Sequence, residues 1–195
     1  MAENKIKYGL KNVYYATIST VSTTGAVSYN TPVAFPGAVS LSMEPQGELS
    51  PFFADNIKYW VGNANNGYEG DLEMARVIDK FREDVLGYIK SGNNLLAEDA
   101  NANPVHFALL FQFEGDVKAT RHVLYDCTAS RPGDSGSTKN ETIEPQTEKI
   151  SISAGSIYVP ALQTDIVKCQ TIDSTATTVY DNWFSAVAQP TATSN

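Results

Sequence analysis

The stretch from Val105 to Thr128 constrains the fold of this chain more than any other part of it. It contains two runs of alternating residues joined at Glu114-Gly115-Asp116, and side chains in a strand alternate between faces with a period of two. One face of the first run is apolar throughout: Phe107, Leu109, Phe111, Phe113. One face of the second run carries Arg121, Val123, Tyr125 and Cys127, and the other carries His122, Leu124 and Asp126.

A short helix is the competing interpretation of the first run, because short apolar runs are ambiguous. Its shortness, its aromatic residues and the glycine that ends it favour a strand. We therefore predict a β-hairpin here, at the core of a mostly β domain.

The composition fits one such domain. The chain has 195 residues, of which 42% are hydrophobic, and this length predicts a single domain over residues 1–195. Charged residues make up only 18%, below the usual level of roughly 25%, as suits an all-β protein or one that buries surface in an assembly. The net charge of −8 argues against nucleic-acid binding as the main task, because phosphate contacts require basic groups.

Further strands are predicted on both sides of the hairpin from the same alternation, at residues 12–20, 27–29, 68–77, 148–153, 157–159 and 165–172. The strand that begins at Tyr68 has one acidic face. One clear helix is predicted over Lys80 to Leu86, with Asp79 as N-cap and Gly87 just past its end. A second short helix is predicted near the C-terminus, over residues 179–187, with Trp183 and Phe184 docked on the core.

The remaining segments are predicted to be irregular. Residues 1–10 form an N-terminal arm, and residues 188–195 form a frayed tail. Residues 38–66 form a long loop interrupted by prolines. In that loop, Phe52 and Phe53 must either fold back on the core or contact a partner, since adjacent phenylalanines are costly to leave in water.

Cys127 and Cys169 each lie in a strand-like run, which favours buried free thiols over a disulfide. No cysteine cluster suggests a zinc site. The N-terminal residues lack the apolar core of a signal peptide, and no run approaches membrane-span length, so we expect a soluble protein made in the cytoplasm that does not bind membranes.

The candidates for catalysis are weak. Gly133-Asp134-Ser135-Gly136 invites comparison with the nucleophile loop of trypsin-like proteases, but the only histidines, His106 and His122, do not stand in that family's order. The carboxylates at Asp71, Glu73, Glu83 and Asp84 lie on faces where solvated acids are ordinary. Glu44, Glu48 and Asp55 lack the spacing of a calcium site. We expect no enzymatic activity, no cofactor and no bound metal.

The sequence resembles the major tail proteins, or tail tube proteins, of bacteriophages with long non-contractile tails. Four stretches carry the resemblance, in the family's order: LSMEPQGELSPFFADNIKYW, NNGYEGDLEMARVIDKFREDVLGY, FALLFQFEGDVKATRHVLYDCTASRP and TIEPQTEKISISA. Together they span most of residues 41–154, and their combination is more specific than any single piece. The N-terminal arm and the chain after Ala154 match less well.

This resemblance implies an antiparallel β-sandwich or flattened barrel with one flanking α-helix, a long loop and flexible terminal arms. Six copies would form a ring, and rings would stack into a tube in the tail of the virion. The loop would contact the neighbouring ring through Leu49, Pro51, Phe52 and Phe53. The lumen would be acidic, with Glu114 and Asp116 as candidates to face it, so that genomic DNA passes without specific binding. The implied partners are other copies of this chain, the tape-measure protein, the baseplate or distal tail proteins and the tail terminator protein.

A carbohydrate- or partner-binding β-sandwich module is the alternative. A carbohydrate site would need exposed aromatic residues in a planar row. Tyr59 and Trp60 are adjacent, so their side chains are expected to point to opposite faces, which argues against such a row.

Overall fold

The computed structural model describes residues 4–138 and 145–192. The strands are β1 Lys7–Val21, β2 Val27–Tyr29, β3 Val33–Ala34, β4 Ala38–Pro45, β5 Leu49–Ala54, β6 Ile57–Asn63, β7 Tyr68–Met74, β8 Ile89–Lys90, β9 Leu96–Ala97, β10 Phe107–Gly115, β11 Thr120–Ala129, β12 Glu148–Gly155, β13 Ile157–Val159, β14 Thr164–Ile166 and β15 Lys168–Gln170. The helices are α1 Asp79–Asp84 and α2 Thr177–Asp181. The predicted fold class is confirmed: the chain is mainly β, built on a large antiparallel sheet with α1 beside it.

Among the described residues, nine strands form the main sheet, in the order β2-β1-β10-β11-β12-β7-β4, with β3 paired to β1 and β15 paired to β11. Strands β1 and β4 lie near opposite ends of this order, yet they contact each other. The sheet therefore curls back on itself, as a flattened barrel does. Three small hairpins of the described chain lie outside it: β5–β6, β8–β9 and β13–β14.

Strand β10 is buried on both faces, because a hydrophobic cluster lies on each side of it. Phe107, Leu109 and Phe111 belong to the cluster inside the curled sheet, which α1 joins through Phe81. Ala108 and Leu110 belong to the second cluster, on the outer face. This second cluster is covered by side chains from β13 and from the segment after α2: Ile157, Val159, Trp183. The central hairpin is thus the common wall of two cores, as its continuous apolar run in FALLF requires.

The predicted hairpin is confirmed, but one of its faces was assigned wrongly. Leu109 pairs with Leu124 while Phe107 pairs with Cys127, so two residues of β11 stand opposite one of β10. This β-bulge moves Cys127 into the inner cluster, whereas Tyr125 stays in the outer one. Cys169 packs against the outer cluster, so the two free cysteines lie on opposite faces of the sheet.

The helix beside the sheet is confirmed, but it begins at Asp79 rather than Lys80 and ends at Asp84 rather than Leu86. Ile78 is the N-cap, and it makes no side-chain capping hydrogen bond. Asp79 is the first helical residue, where its negative charge interacts favourably with the positive end of the helix dipole. Gly87 follows the helix with φ of 74°, a conformation that glycine adopts without strain. The C-terminal helix α2 begins and ends earlier than predicted, but Trp183 is buried and Phe184 stacks on Tyr14 as expected.

The N-terminal arm and the C-terminal tail are both shorter than predicted. Strand β1 begins at Lys7, which pairs with Gly115, so residues 7–10 belong to the sheet. Near the C-terminus, the backbone carbonyl of Ala188 accepts a hydrogen bond from the Tyr125 hydroxyl at 2.8 Å, and the Gln189 side chain donates to the Val27 carbonyl. The tail is therefore anchored at least as far as residue 189. Residues 1–3, 139–144 and 193–195 lie outside the described part of the chain, so the predictions there stay untested.

The predicted long loop over residues 38–66 was also wrong. Its first part is β4, which pairs with β7 at the edge of the main sheet. Its second part is the β5–β6 hairpin. The prolines that suggested a loop are compatible with both, since Pro45 ends β4 and Pro51 lies in a two-stranded ribbon with a free edge.

Candidate functional site

The β5–β6 hairpin is the most unusual surface of the described chain. Its two strands pair with each other and with no other described strand. The turn at Asp55-Asn56 has φ of 49° and 61°, as the two-residue turns favoured in hairpins require. A two-stranded ribbon is marginally stable on its own in water, so this one needs a covering partner to be well fixed.

Large apolar side chains crowd this hairpin and stay in contact with solvent. Phe52 is 58% exposed, Phe53 62%, Tyr59 69% and Trp60 61%. Ile57 and Val61 are exposed as well. Phe52 stands opposite Trp60, and a register shift then places Phe53 opposite Lys58. Single exposed apolar residues are ordinary, but a group of them on one projecting element indicates a site that contacts a partner.

The structure therefore answers the question that the sequence left open for Phe52 and Phe53, because in the isolated chain they do not fold back on the core. Of the other two candidates, Pro51 is exposed and Leu49 is the first residue of β5. Sequence reasoning missed the second strand, with Ile57, Tyr59 and Trp60. Asp55-Asn56 between two aromatic-rich runs was the signal that could have revealed it, since both residues tolerate positive φ.

The two candidate lumen-facing acids lie together at the end of β10, each bound to the N-terminal segment. Glu114 forms an ion pair with Lys11, with 2.5 Å between Oε1 and Nζ. Asp116 accepts a hydrogen bond from the backbone amide of Lys5 at 2.8 Å. The Asn4 side chain closes the same turn by accepting hydrogen bonds from the amides of Val117 and Lys118. These contacts fix the acids in place; their orientation towards a lumen stays a prediction.

A second set of acids follows the outward face of β7, as predicted for that strand. Asp71 accepts hydrogen bonds from Ser151 at 2.8 Å and from Lys149 at 2.7 Å. Glu73 accepts from Thr147 on one side and from Ser40 on the other. These donors lower the pKa of both carboxyl groups below their usual values, so both are ionised at neutral pH. A general acid needs the opposite shift, so this face resembles a structural ladder more than a catalytic pair.

The protease-like motif is not assembled into a triad in the described structure. Ser135 lies in an exposed segment after β11. His106 contacts Asp126 at 2.6 Å, and His122 stacks on Phe111. Among the described contacts, neither histidine bonds Ser135. Within residues 4–138 and 145–192, no group of three or more His, Cys, Asp or Glu is placed to hold a metal ion.

No helix among the described residues is both long and apolar enough to cross a membrane. No protein-family model matches this chain, and no curated protein matches it either. The family resemblance therefore depends on the motifs quoted above.

Proposed function

We propose that this chain is a structural virion protein that self-assembles into stacked hexameric rings and so forms the tail tube of a long-tailed bacteriophage. The observation that carries the proposal is the β5–β6 hairpin, which displays four aromatic side chains to solvent. In a monomer these apolar side chains stay in water and add no stability, whereas a contact between copies would bury them.

The sheet supports the same proposal through its edge. Strand β4 is the last strand in the order of the main sheet; it contacts β1, but among the described strands it pairs with β7 alone. A long open edge is an aggregation hazard unless it is covered. Pairing between neighbouring copies would cover it and close a ring. The tape-measure, baseplate and terminator proteins would then be partners at the core and ends of the tube.

The charge of the chain fits a conduit for DNA. A net charge of −8 repels the phosphate backbone. In the proposed tube, this repulsion keeps the genome from adhering to the wall during its passage into the host cell. Glu114 and Asp116 remain our candidates for residues that face the lumen. The proposed function requires no catalysis and no cofactor.

The test of assembly is negative-stain electron microscopy of the purified protein over a range of concentrations, with the mass measured by light scattering. We expect rings or hollow tubes at high protein concentration. A strict monomer at every concentration, even when preformed tail initiator complexes are added, would contradict self-assembly. It would favour the partner-binding module, which the same exposed aromatic residues could also serve.

The hairpin is tested by the double substitution Phe52→Ser and Phe53→Ser. Because both side chains are largely exposed, we expect the free energy of unfolding of the monomer to change by less than about 0.5 kcal/mol. The concentration needed for assembly should rise by about tenfold or more. The matched control is Leu95→Ser, since Leu95 is 63% exposed but lies outside the hairpin. Loss of folding in the double variant would show that the phenylalanines support the core.

A further inference from the structure

A pocket opens at one end of the curled sheet. Helix α1 packs at the Phe107 end of β10 through Phe81, whereas the pocket lies at the Phe111–Phe113 end of the same strand. Its volume is about 320 Å³, at the lower end of the range of about 300–1,000 Å³ typical of ligand pockets. Its apolar walls include Met43 and Tyr68. A space of this size and lining suits an aromatic or branched aliphatic side chain.

Two ammonium groups stand at this pocket. The Lys7 Nζ lies 4.5 Å from the centre of the Phe113 ring, and the Lys168 Nζ lies 4.6 Å from the centre of the Tyr68 ring. Within the described part of the chain, neither lysine forms an ion pair. In a chain of net charge −8, two lysines without a carboxylate partner make this pocket a local site for an anion.

A third polar group at this pocket has no hydrogen-bond partner among the described residues. The His122 Nε2 atom is buried and makes no hydrogen bond to any described residue. Its ring is stacked on Phe111, with 5.1 Å between the ring centres and 6° between the planes. Burial and the nearby lysines lower the pKa of His122 to about 4, so the ring is neutral at pH 7. Buried polar atoms normally have a partner, so this one points to a missing group.

The tip of the β5–β6 hairpin has the complementary chemistry. The Asp55 carboxylate stands at the turn, and Phe53 and Ile57 flank it, both more than half exposed. The turn thus presents one anion with two apolar side chains beside it, and Lys58 stands opposite Phe53 on the second strand. None of these residues lines the pocket of its own chain.

We infer that the pocket receives the β5–β6 hairpin tip of a second copy of this chain, with an apolar side chain against Met43 and Tyr68 and the Asp55 carboxylate beside Lys168 and Lys7. This inference deepens the proposed self-assembly and rests on it. It supplies what the proposed function does not name, the surface on the neighbouring copy that accepts the hairpin.

The test uses Lys168→Glu, which places a second carboxylate opposite Asp55 of the neighbouring copy. We expect the concentration needed for assembly to rise by about tenfold, since like charges meet at the contact. Adding Asp55→Asn to that variant should restore assembly to the level of Asp55→Asn alone, because the repulsion is then gone. Asparagine suits this position, since it tolerates the positive φ of the turn as aspartate does.

The controls carry the same changes in charge at distant positions. Lys90→Glu should leave assembly unchanged, and Asp134→Asn should not rescue Lys168→Glu; both native side chains are exposed. Thermal unfolding of each variant checks that the monomer is intact. If Lys168→Glu assembles like the wild type while the Phe52→Ser and Phe53→Ser variant does not, the pocket is not the acceptor and the proposed function stands. If the wild type never assembles, both fail.

Discussion

At the scale of single residues, the pair of Arg82 and Glu148 is the polar contact that joins the helix to the sheet. Glu148 Oε2 accepts a hydrogen bond from Arg82 at 2.7 Å and another from the backbone amide of Val77 at 3.0 Å. The side chains are only 15% and 27% exposed, so solvent screens the pair less than a surface ion pair. One carboxylate thus joins α1, the segment before it and β12.

Replacing this carboxylate should destabilise the fold. We expect Glu148→Ala to lower the free energy of unfolding by about 1–3 kcal/mol, because it removes two charge-assisted hydrogen bonds and leaves Arg82 partly buried without its partner. Urea denaturation at pH 7 measures the change. Lys149→Ala is the control on the same strand: its ion pair with Asp71 is largely exposed and screened by solvent, so the loss should be much smaller than for Glu148→Ala. Equal losses in the two variants would contradict this explanation.

His122 should make the fold sensitive to mild acid. Its pKa is about 4 in the folded chain and about 6.5 when unfolded, so the unfolded state binds the proton first as the pH falls. Its contribution to stability is therefore complete above pH 6.5 and is lost between pH 6.5 and 4. After allowance for partial exposure, we expect that loss to be about 1–2 kcal/mol.

The comparison that isolates this effect is between the wild type and His122→Phe, which keeps an aromatic ring against Phe111. Urea denaturation of both proteins at pH 7 and pH 4.5 gives the difference. Carboxylates titrate equally in the two proteins, so only the histidine distinguishes them. A wild type and a variant that lose the same stability would show that His122 takes up its proton alike in both states.

At the scale of elements, α1 is short but contributes much of the inner core through one side chain. Phe81 stacks on Phe35 with 4.6 Å between ring centres and meets Tyr15 and Phe107 edge to face. A helix of six residues has little stability of its own, so this packing holds it in place. The helix in turn closes one end of the curled sheet.

Removing that ring should therefore cost more than any surface change. We expect Phe81→Ala to lower the free energy of unfolding by about 3–5 kcal/mol, the usual range for a buried phenylalanine. Chemical denaturation with circular dichroism measures it. The neighbouring Lys80→Ala, on the exposed side of the same helix, should cost less than about 1 kcal/mol. A loss of that small size for Phe81→Ala would mean that the ring cluster can repack around the cavity.

Elements with clear periodicity could be predicted from the sequence, and those set by long-range pairing could not. Alternating side chains in β10, β11, β7 and β12 indicated strands, and the spacing around Phe81 indicated a helix. The bulge that turns Cys127 inward depends on how β11 pairs with β10, which no single run reveals. The β5–β6 hairpin was missed because Pro51 and the polar residues around it outweighed a turn signal at Asp55-Asn56. The acceptor pocket joins residues from six different strands, which no local pattern brings together.

At the scale of the whole molecule, the sheet serves as the wall between two cores of different origin. The inner one is enclosed by the curled sheet and α1, and the outer one is covered by β13 and the C-terminal segment. Arg121 of β11 joins the C-terminal segment to the central β10–β11 hairpin. Its guanidinium group lies 3.9 Å from the centre of the Tyr180 ring and 5.0 Å from that of Phe184. The projecting hairpin belongs to neither core, so the monomer can be stable while its assembly surface stays open.

This separation of core and assembly surface gives the protein two natural optical probes. The chain has two tryptophans, Trp60 on the hairpin at 61% exposure and Trp183 in the outer core at 3%. In the monomer, we expect iodide to quench about half of the indole fluorescence, since only one ring meets water. As rings form and stack, the quenchable fraction should disappear and the emission should shift to the blue, in step with the mass from light scattering. If quenching persisted in assembled particles, the hairpin would lie on the outside of the tube, so the fluorescence of one indole ring reports which surface of this protein faces its surroundings.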